Sequence, residues 1–204
     1  MGLKQDKNMN SLNDLEKIIN SELSTKVKSS KIKHNQIYIN IANEDLTDVI
    51  LFLKTNKNLK FRQLIDITAV DYLEQEKRFK IVYLFLSHEF NLRIQVYTFI
   101  NENEFVSSLI SIFPAANWME REVFDMYGVK FKDHPDLRRI LTDYGFEGHP
   151  LRKDFPLTGH SEVRYSEAEK KVIYEDVKLE QNYRNFDFES PWKGTEYIKE
   201  KIKE

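Results

Sequence analysis

Apolar residues recur along this chain with two distinct periods, and the switching between them predicts the order of its elements. Leu12, Leu15 and Ile19 share one face of a short amphipathic helix, with Ser11 and Asp14 placed like a capping pair at its start. Lys31 to His34 and Gln36 to Ala42 alternate polar with apolar residues, Ile37, Ile39 and Ile41 on one side, which reads as a strand or hairpin. Asn43 suits a helix N-cap, with Glu44 and Asp45 in the first turn. Leu46, Val49, Ile50 and Leu53 then fill i, i+3, i+4 and i+7 of that helix. Phe61 to Tyr72 is rich in β-branched residues and reads as a strand. Arg78 to Ser87 and Asn91 to Ile100 alternate most cleanly, and the short connection from Ser87 to Asn91 makes them a hairpin. Val106, Leu109, Ile110 and Phe113 have helical spacing, ended by Pro114. Ala115 to Tyr127 reads as a further helix with Met119, Val123 and Met126 on its apolar face and Gly128 at its C-terminal end. Helices and strands in this order predict an α+β domain over residues 1–159, an antiparallel or mixed sheet packed with helices.

Residues 160–204 lack either period. Tyr165, Tyr174, Tyr183, Phe186, Phe188, Trp192 and Tyr197 recur among many charges. A disordered tail has few aromatics, whereas an arm that buries separate anchors in neighbouring chains needs them. The tail is therefore expected to be an extended C-terminal arm for docking on partners, with Phe186, Phe188 and Trp192 as anchors.

Composition removes several classes of function. The chain has 204 residues and a net charge of -2, so it carries no basic footprint for nucleic acid. It has no cysteine, which excludes thiolate catalysis, disulfides, and cysteine-ligated zinc or iron–sulfur sites. The longest apolar run, Ile81 to Leu86, is too short to span a bilayer. The first residues show neither the apolar region of a signal peptide nor a myristoylation pattern, so membrane association is expected only through partners.

Charge and backbone punctuation meet in one stretch, Trp118 to Gly159. It holds four of the six glycines and three of the five prolines. Arg121 and Asp125 are spaced for an i, i+4 pair. Glu120, Glu122 and Asp125 outnumber Arg121, so cations from Arg138, Arg139, Arg152 and Lys153 are expected to meet them in a network between helix and loop. His134 and His149 each precede a proline and match no zinc spacing, which favours structural or interface roles over metal binding. The carboxylates have no nucleophile beside them in sequence, so ion-pair roles outweigh acid–base roles.

Three segments carry a resemblance. Glu120-Arg121-Glu122 is followed after two residues by Asp125-Met126-Tyr127, then by His134, Arg138 and Ile140-Leu141. Gly148-His149-Pro150-Leu151-Arg152-Lys153-Asp154-Phe155-Pro156 follows, and Asn185-Phe186-Asp187-Phe188-Glu189-Ser190-Pro191-Trp192 lies near the end. Together they resemble the 30 kDa subunit family of NADH:quinone oxidoreductase, respiratory complex I. The related module of membrane-bound nickel–iron hydrogenases is the runner-up, and an independent enzyme built on the central His, Asp and Arg residues is the competing class. Absent cysteines and absent glycine-rich dinucleotide loops weigh against the last. The resemblance implies a non-catalytic hydrophilic-arm subunit with no cofactor of its own, FMN and the iron–sulfur clusters belonging to partner subunits. It implies subunits D, B and I as partners. It also implies a peripheral position on the cytoplasmic side of the bacterial inner membrane, or the matrix side if mitochondrially encoded. Glu120, Arg121, Glu122, Asp125, His134, Arg138, His149, Arg152 and Asp154, which lie in the motif, and Arg139, added by the charge pattern, are expected to form the signature network and interface.

Overall fold

A computed structural model describes residues 12–179. Ser11 and the expected anchors Phe186, Phe188 and Trp192 lie outside the described residues. The described chain divides into two compact units, up to Leu157 and from Thr158 onward.

The first unit is built on a five-stranded mixed sheet. In chain order its elements are α1 (Leu12–Glu22), β1 (Val27–Lys33), β2 (Gln36–Ile41), α2 (Leu46–Thr55), β3 (Gln63–Asp71), β4 (Phe79–Ser87), β5 (Leu92–Ile100), β6 (Phe105–Ser107), α3 (Ala116–Tyr127) and β7 (Lys130–Lys132). The strand order is β1-β2-β5-β4-β3. Only β2 and β5 run parallel; the other neighbours are antiparallel. β1 and β2 form a hairpin whose two turn residues, His34 and Asn35, both have positive φ, the twist that matches flanking strands. β4 and β5 form the predicted hairpin, closed at Ser87 opposite Leu92, with Asn91 left-handed in the turn. One face of the sheet presents Ile37, Ile39, Ile41, Ile67, Ile81, Tyr83, Phe85, Ile94 and Val96 to a core shared with Leu15 and Ile19 of α1, Val49, Ile50 and Leu53 of α2, and Val123 of α3. The α+β class and the mixed sheet are as the periodicity predicts.

Two local expectations are overturned. The segment from Val106 to Phe113 is not a helix. Residues 105–107 form β6, parallel to β7, and tight turns follow at Leu109 and Phe113. Val106, Leu109 and Phe113 are still buried, because a strand residue followed by turns can present the same i, i+3, i+7 set. Asn43 does not cap α2. The helix begins at Leu46, after Asp45, whose side chain makes no cap bond. The Asn43 amide instead donates to the Phe105 carbonyl at 2.8 Å and to Glu104 at 3.0 Å, tying the start of α2 to β6.

In the second unit, β8 (Ser161–Ser166) and β9 (Lys171–Asp176) form an antiparallel hairpin where an extended arm is expected. Register places Val163 opposite Tyr174 and Tyr165 opposite Val172. Arg164 and Glu175 pair bidentately at 2.8 and 3.0 Å. The alternation in these strands is hidden by charges at most of the remaining positions.

Candidate functional site

Helix α3 and the loop that returns over it form one hydrogen-bonded unit. The last carbonyls of a helix have no partner within the helix. Here the Gly128 bond closes the helical pattern and the next three carbonyls are met by the returning loop. Gly128 N–H donates to the Phe124 carbonyl at 2.8 Å and Leu151 N–H to that of Met126 at 3.1 Å. The His149 Nδ1 contacts the Asp125 carbonyl at 2.9 Å and Arg152 Nε donates to Tyr127 at 2.6 Å. A carbonyl only accepts, so His149 carries its proton on Nδ1. Burial first, then the Arg152 and Arg139 charges, lower the His149 pKa, while its bond to Asp125 opposes them. Gly128 makes this approach possible. Its φ is +77°, and a Cβ there would lie 2.5 Å from Arg152 Nη2 and 2.7 Å from the His149 ring.

Asp125 holds the other side of the loop. Its side chain is fully buried. Oδ2 accepts the backbone N–H groups of Ile140, Leu141 and Thr142 at 3.0, 2.7 and 2.9 Å. Oδ1 accepts the Thr142 hydroxyl at 2.7 Å and Arg139 at 3.2 Å. Burial works to raise the Asp125 pKa, but these donors outweigh it and hold the carboxyl below its ordinary value. Arg139 also donates to the Gly148 carbonyl at 2.9 Å, joining the two arms of the loop.

Arg121 is not paired with Asp125, contrary to the helical spacing. Its guanidinium points across to the loop and donates to the carbonyls of Arg138 and Arg139 at 2.9 and 3.0 Å. Asp125 faces three amides that outcompete a flexible surface partner. The crowding of carboxylates on α3 is resolved by separation: Glu122 is exposed, Asp125 is clamped, and Glu120 is buried. Glu120 accepts from Leu109 N–H and the Ser108 hydroxyl, both at 2.7 Å, which shapes the turn after β6. Burial pushes its carboxyl up to about 7, with those two bonds opposing. His134 Nε2 lies 4.0 Å from Glu120 and 3.1 Å from the Asn117 carbonyl, while its Nδ1 accepts from Asp136 N–H. Arg138 is exposed and, among the described residues, pairs with Asp136 and meets no helix carboxylate.

A second cluster ties the loop to the sheet, and of its members the sequence singles out Arg152, Lys153 and Asp154 but not Asp71, Arg78 or Glu102. Arg78 at the start of β4 grips Asp71 with two bonds of 2.8 and 2.9 Å and reaches Asp154 at 2.8 Å. Lys153 N–H donates to Asp71 at 2.8 Å, and Arg152 pairs with Glu102. The bonds from Arg78 hold both Asp71 and Asp154 below the ordinary carboxylate value. Both guanidiniums lie over the Phe79 ring, 5.1 and 5.3 Å from its centroid. The available signal was Asp71 itself, a carboxylate at the position of β3 where Leu64, Ile67 and Ala69 set an inward-facing series.

The result is an ordered loop that uses many of its polar groups internally and turns several apolar side chains outward. Leu141, Leu151 and Leu157 are exposed, and Tyr144 is fully so. Among the described residues no group of three or more His, Asp or Glu is gathered as a metal site. No helix among them is long and apolar enough to cross a membrane.

The family described as respiratory-chain NADH dehydrogenase, 30 Kd subunit, matches residues 39–161. That span contains the whole clamp. The chain belongs to this family. Relatives named as the C subunit of NADH-quinone oxidoreductase include that of Ruegeria pomeroyi, 54% identical over 84% of this chain and 86% of the relative. Another from Parvibaculum lavamentivorans is 50% identical over 92% and 94%. The fold also matches a chain in the structure of the membrane-bound sulfane sulfur reductase, an archaeal respiratory membrane complex. That match has a TM-score of 0.62 at 24% identity, covering 71% of this chain and 85% of the other, and it speaks to the fold alone.

Proposed function

We propose that this protein is a hydrophilic-arm subunit of proton-translocating NADH:quinone oxidoreductase and works by docking rather than by catalysis. The assembly passes electrons from NADH through FMN and iron–sulfur clusters, held by partner subunits, to quinone. This chain keeps the arm together, on the cytoplasmic side of the inner membrane, in contact with subunits D, B and I. Family membership supports the assembly. One observation supports the docking role: the loop over α3 uses its charges on its own backbone and turns Leu141, Tyr144 and Leu151 outward. A loop so constrained loses little conformational entropy when a partner covers it.

The hairpin of the second unit adds support. Val163, Tyr165, Val172 and Tyr174 share one face, and each is more than half exposed. A lone two-stranded hairpin is marginal in water, and cover from another chain would stabilise it.

The test is the double variant Leu141→Asp/Tyr144→Asp in the native complex. Neither side chain contributes to the core, so the isolated chain keeps its melting temperature. The arm fails to assemble on native gels and NADH-to-quinone activity falls, while the flavin-bearing part still reduces an artificial acceptor. Full assembly with unchanged quinone reduction would refute the docking role of this loop. Turnover of a substrate by the purified chain alone would refute the non-catalytic reading.

A further inference from the structure

The sheet has a second face, away from the helices. On β4 and β5 it carries Lys80, Val82, Leu84, Tyr97 and Phe99, by alternation from the core positions. Val82 and Tyr97 are buried, yet neither belongs to the core on the helical side. Tyr97 meets Phe99 edge-on with centroids 5.8 Å apart, and Phe99 meets Tyr72 at 6.3 Å. Beside them Val70 and Tyr72 are exposed. Such a continuous aliphatic and aromatic strip is more than scattered surface residues produce.

Charge on this face is mainly positive. Lys80 lies in the strip with its ammonium 4.1 Å from the Tyr97 ring centroid and 6.0 Å from that of Phe99. Register adds Lys31 of β1 opposite Tyr38, and Arg93 of β5 opposite Leu86. Asp66 of β3, opposite Leu84, is the acidic residue that register adds to this face. Among the described residues no carboxylate pairs with Lys80, Lys31 or Arg93. A partly desolvated cation held only by rings is incomplete, and a carboxylate in the same low-dielectric strip would complete it.

We infer that this face docks an acidic amphipathic segment of another protein of the assembly, its aliphatic residues on Leu84 and Phe99 and a carboxylate at Lys80. The inference goes beyond the docking role of the α3 loop and rests on the same assembly reading. Like charge on facing copies disfavours self-pairing through this surface. Lys80 already occupies the face of Tyr97 that a nucleobase would need for stacking, which disfavours a nucleic acid.

The experiment places a photo-crosslinking amino acid at Gln95, on this face and outside every bond described above, in the full-length protein within the native complex. The expected adduct is with one other protein of the assembly, at a segment carrying acidic and aliphatic residues. Lys80→Met should then lower retention of that partner by ~10-fold or more, while leaving the isolated chain's melting temperature unchanged. Lys80→Arg should restore retention. An adduct with residues 180–204 of the same chain, with a second copy, with nucleic acid, or no adduct at all overturns the inference. So does normal partner retention by Lys80→Met. If the protein fails to co-purify with NADH:quinone oxidoreductase at all, the assembly reading fails first, and the two failures are separately visible.

Discussion

Asp125→Ala should release the loop from α3. The substitution strands the N–H groups of Ile140, Leu141 and Thr142, the Thr142 hydroxyl, and one ion-pair contact of Arg139. Each donor left without a partner costs ~1–3 kcal/mol if water cannot replace the acceptor. Leu141 is 60% exposed, so water reaches part of this site and the donors do not sum fully. Loss of one partner from a buried charged cluster costs ~3–5 kcal/mol, and that is the expected effect. Asp125→Asn is the informative comparison. Its carbonyl oxygen can still accept the three amides, while the amide NH2 faces Arg139 unfavourably, so it should cost only ~1–2 kcal/mol. Glu122→Ala, on the exposed face of the same helix, should change stability by less than ~0.5 kcal/mol. Urea unfolding of the purified chain measures all three, and amide exchange at residues 140–142 localises the change. Equal destabilisation by Ala and Asn, or less than ~0.5 kcal/mol from either, would show that the carboxylate does not organise the loop.

Other outcomes follow from the same geometry. Glu120 has its folded pKa raised from 4.5 to about 7, so its contribution to stability is fully present below pH 4.5 and is lost as pH rises through 7, by ~3 kcal/mol. Glu120→Gln should flatten that part of the stability–pH curve, and an unchanged slope would count against the assignment. Asp71 and Asp154 behave oppositely: their folded pKa values are lowered, so their contribution is present above the ordinary carboxylate pKa and is lost as pH falls below it. Arg78→Ala should destabilise the chain by ~3–5 kcal/mol because Asp71 is left fully buried without its main partner, and Asp71→Asn in the same chain should recover part of this; urea midpoints test both. Gly128→Ala incurs ~1–2 kcal/mol from left-handed backbone alone and displaces His149 and Arg152, so protease cleavage within residues 134–157 should accelerate. Truncation after Gly159 should leave the first unit folded by circular dichroism but unable to join the arm on native gels; normal quinone reductase activity would remove docking from the tail.

Periodicity alone determined most of the scaffold. The strands from Phe79 to Ile100 and the helices at Leu46 and Ala116 are legible because their apolar positions repeat at 2 or 3.6 residues over long enough runs. The family was legible too, since its signature is contiguous in the chain around Glu120 to Pro156. Periodicity failed where one turn of spacing fits two geometries, as at Val106 to Phe113. There the decision came from β7 pairing with residues 105–107 and from the buried Glu120 carboxylate taking the Leu109 amide. Charge pairing was the least legible layer. Spacing on α3 suggests Arg121 with Asp125, but a side chain's partner is set by what the fold brings near. Three loop amides converge on Asp125, and the Arg138 and Arg139 carbonyls converge on Arg121. Glu102 lies 50 residues from Arg152 and Asp71 lies 82 residues from Lys153, separations that no local pattern encodes. Only the assembled sheet, with the start of β4 between the end of β3 and the end of β5, puts Asp71, Arg78 and Glu102 within reach of Lys153, Asp154 and Arg152.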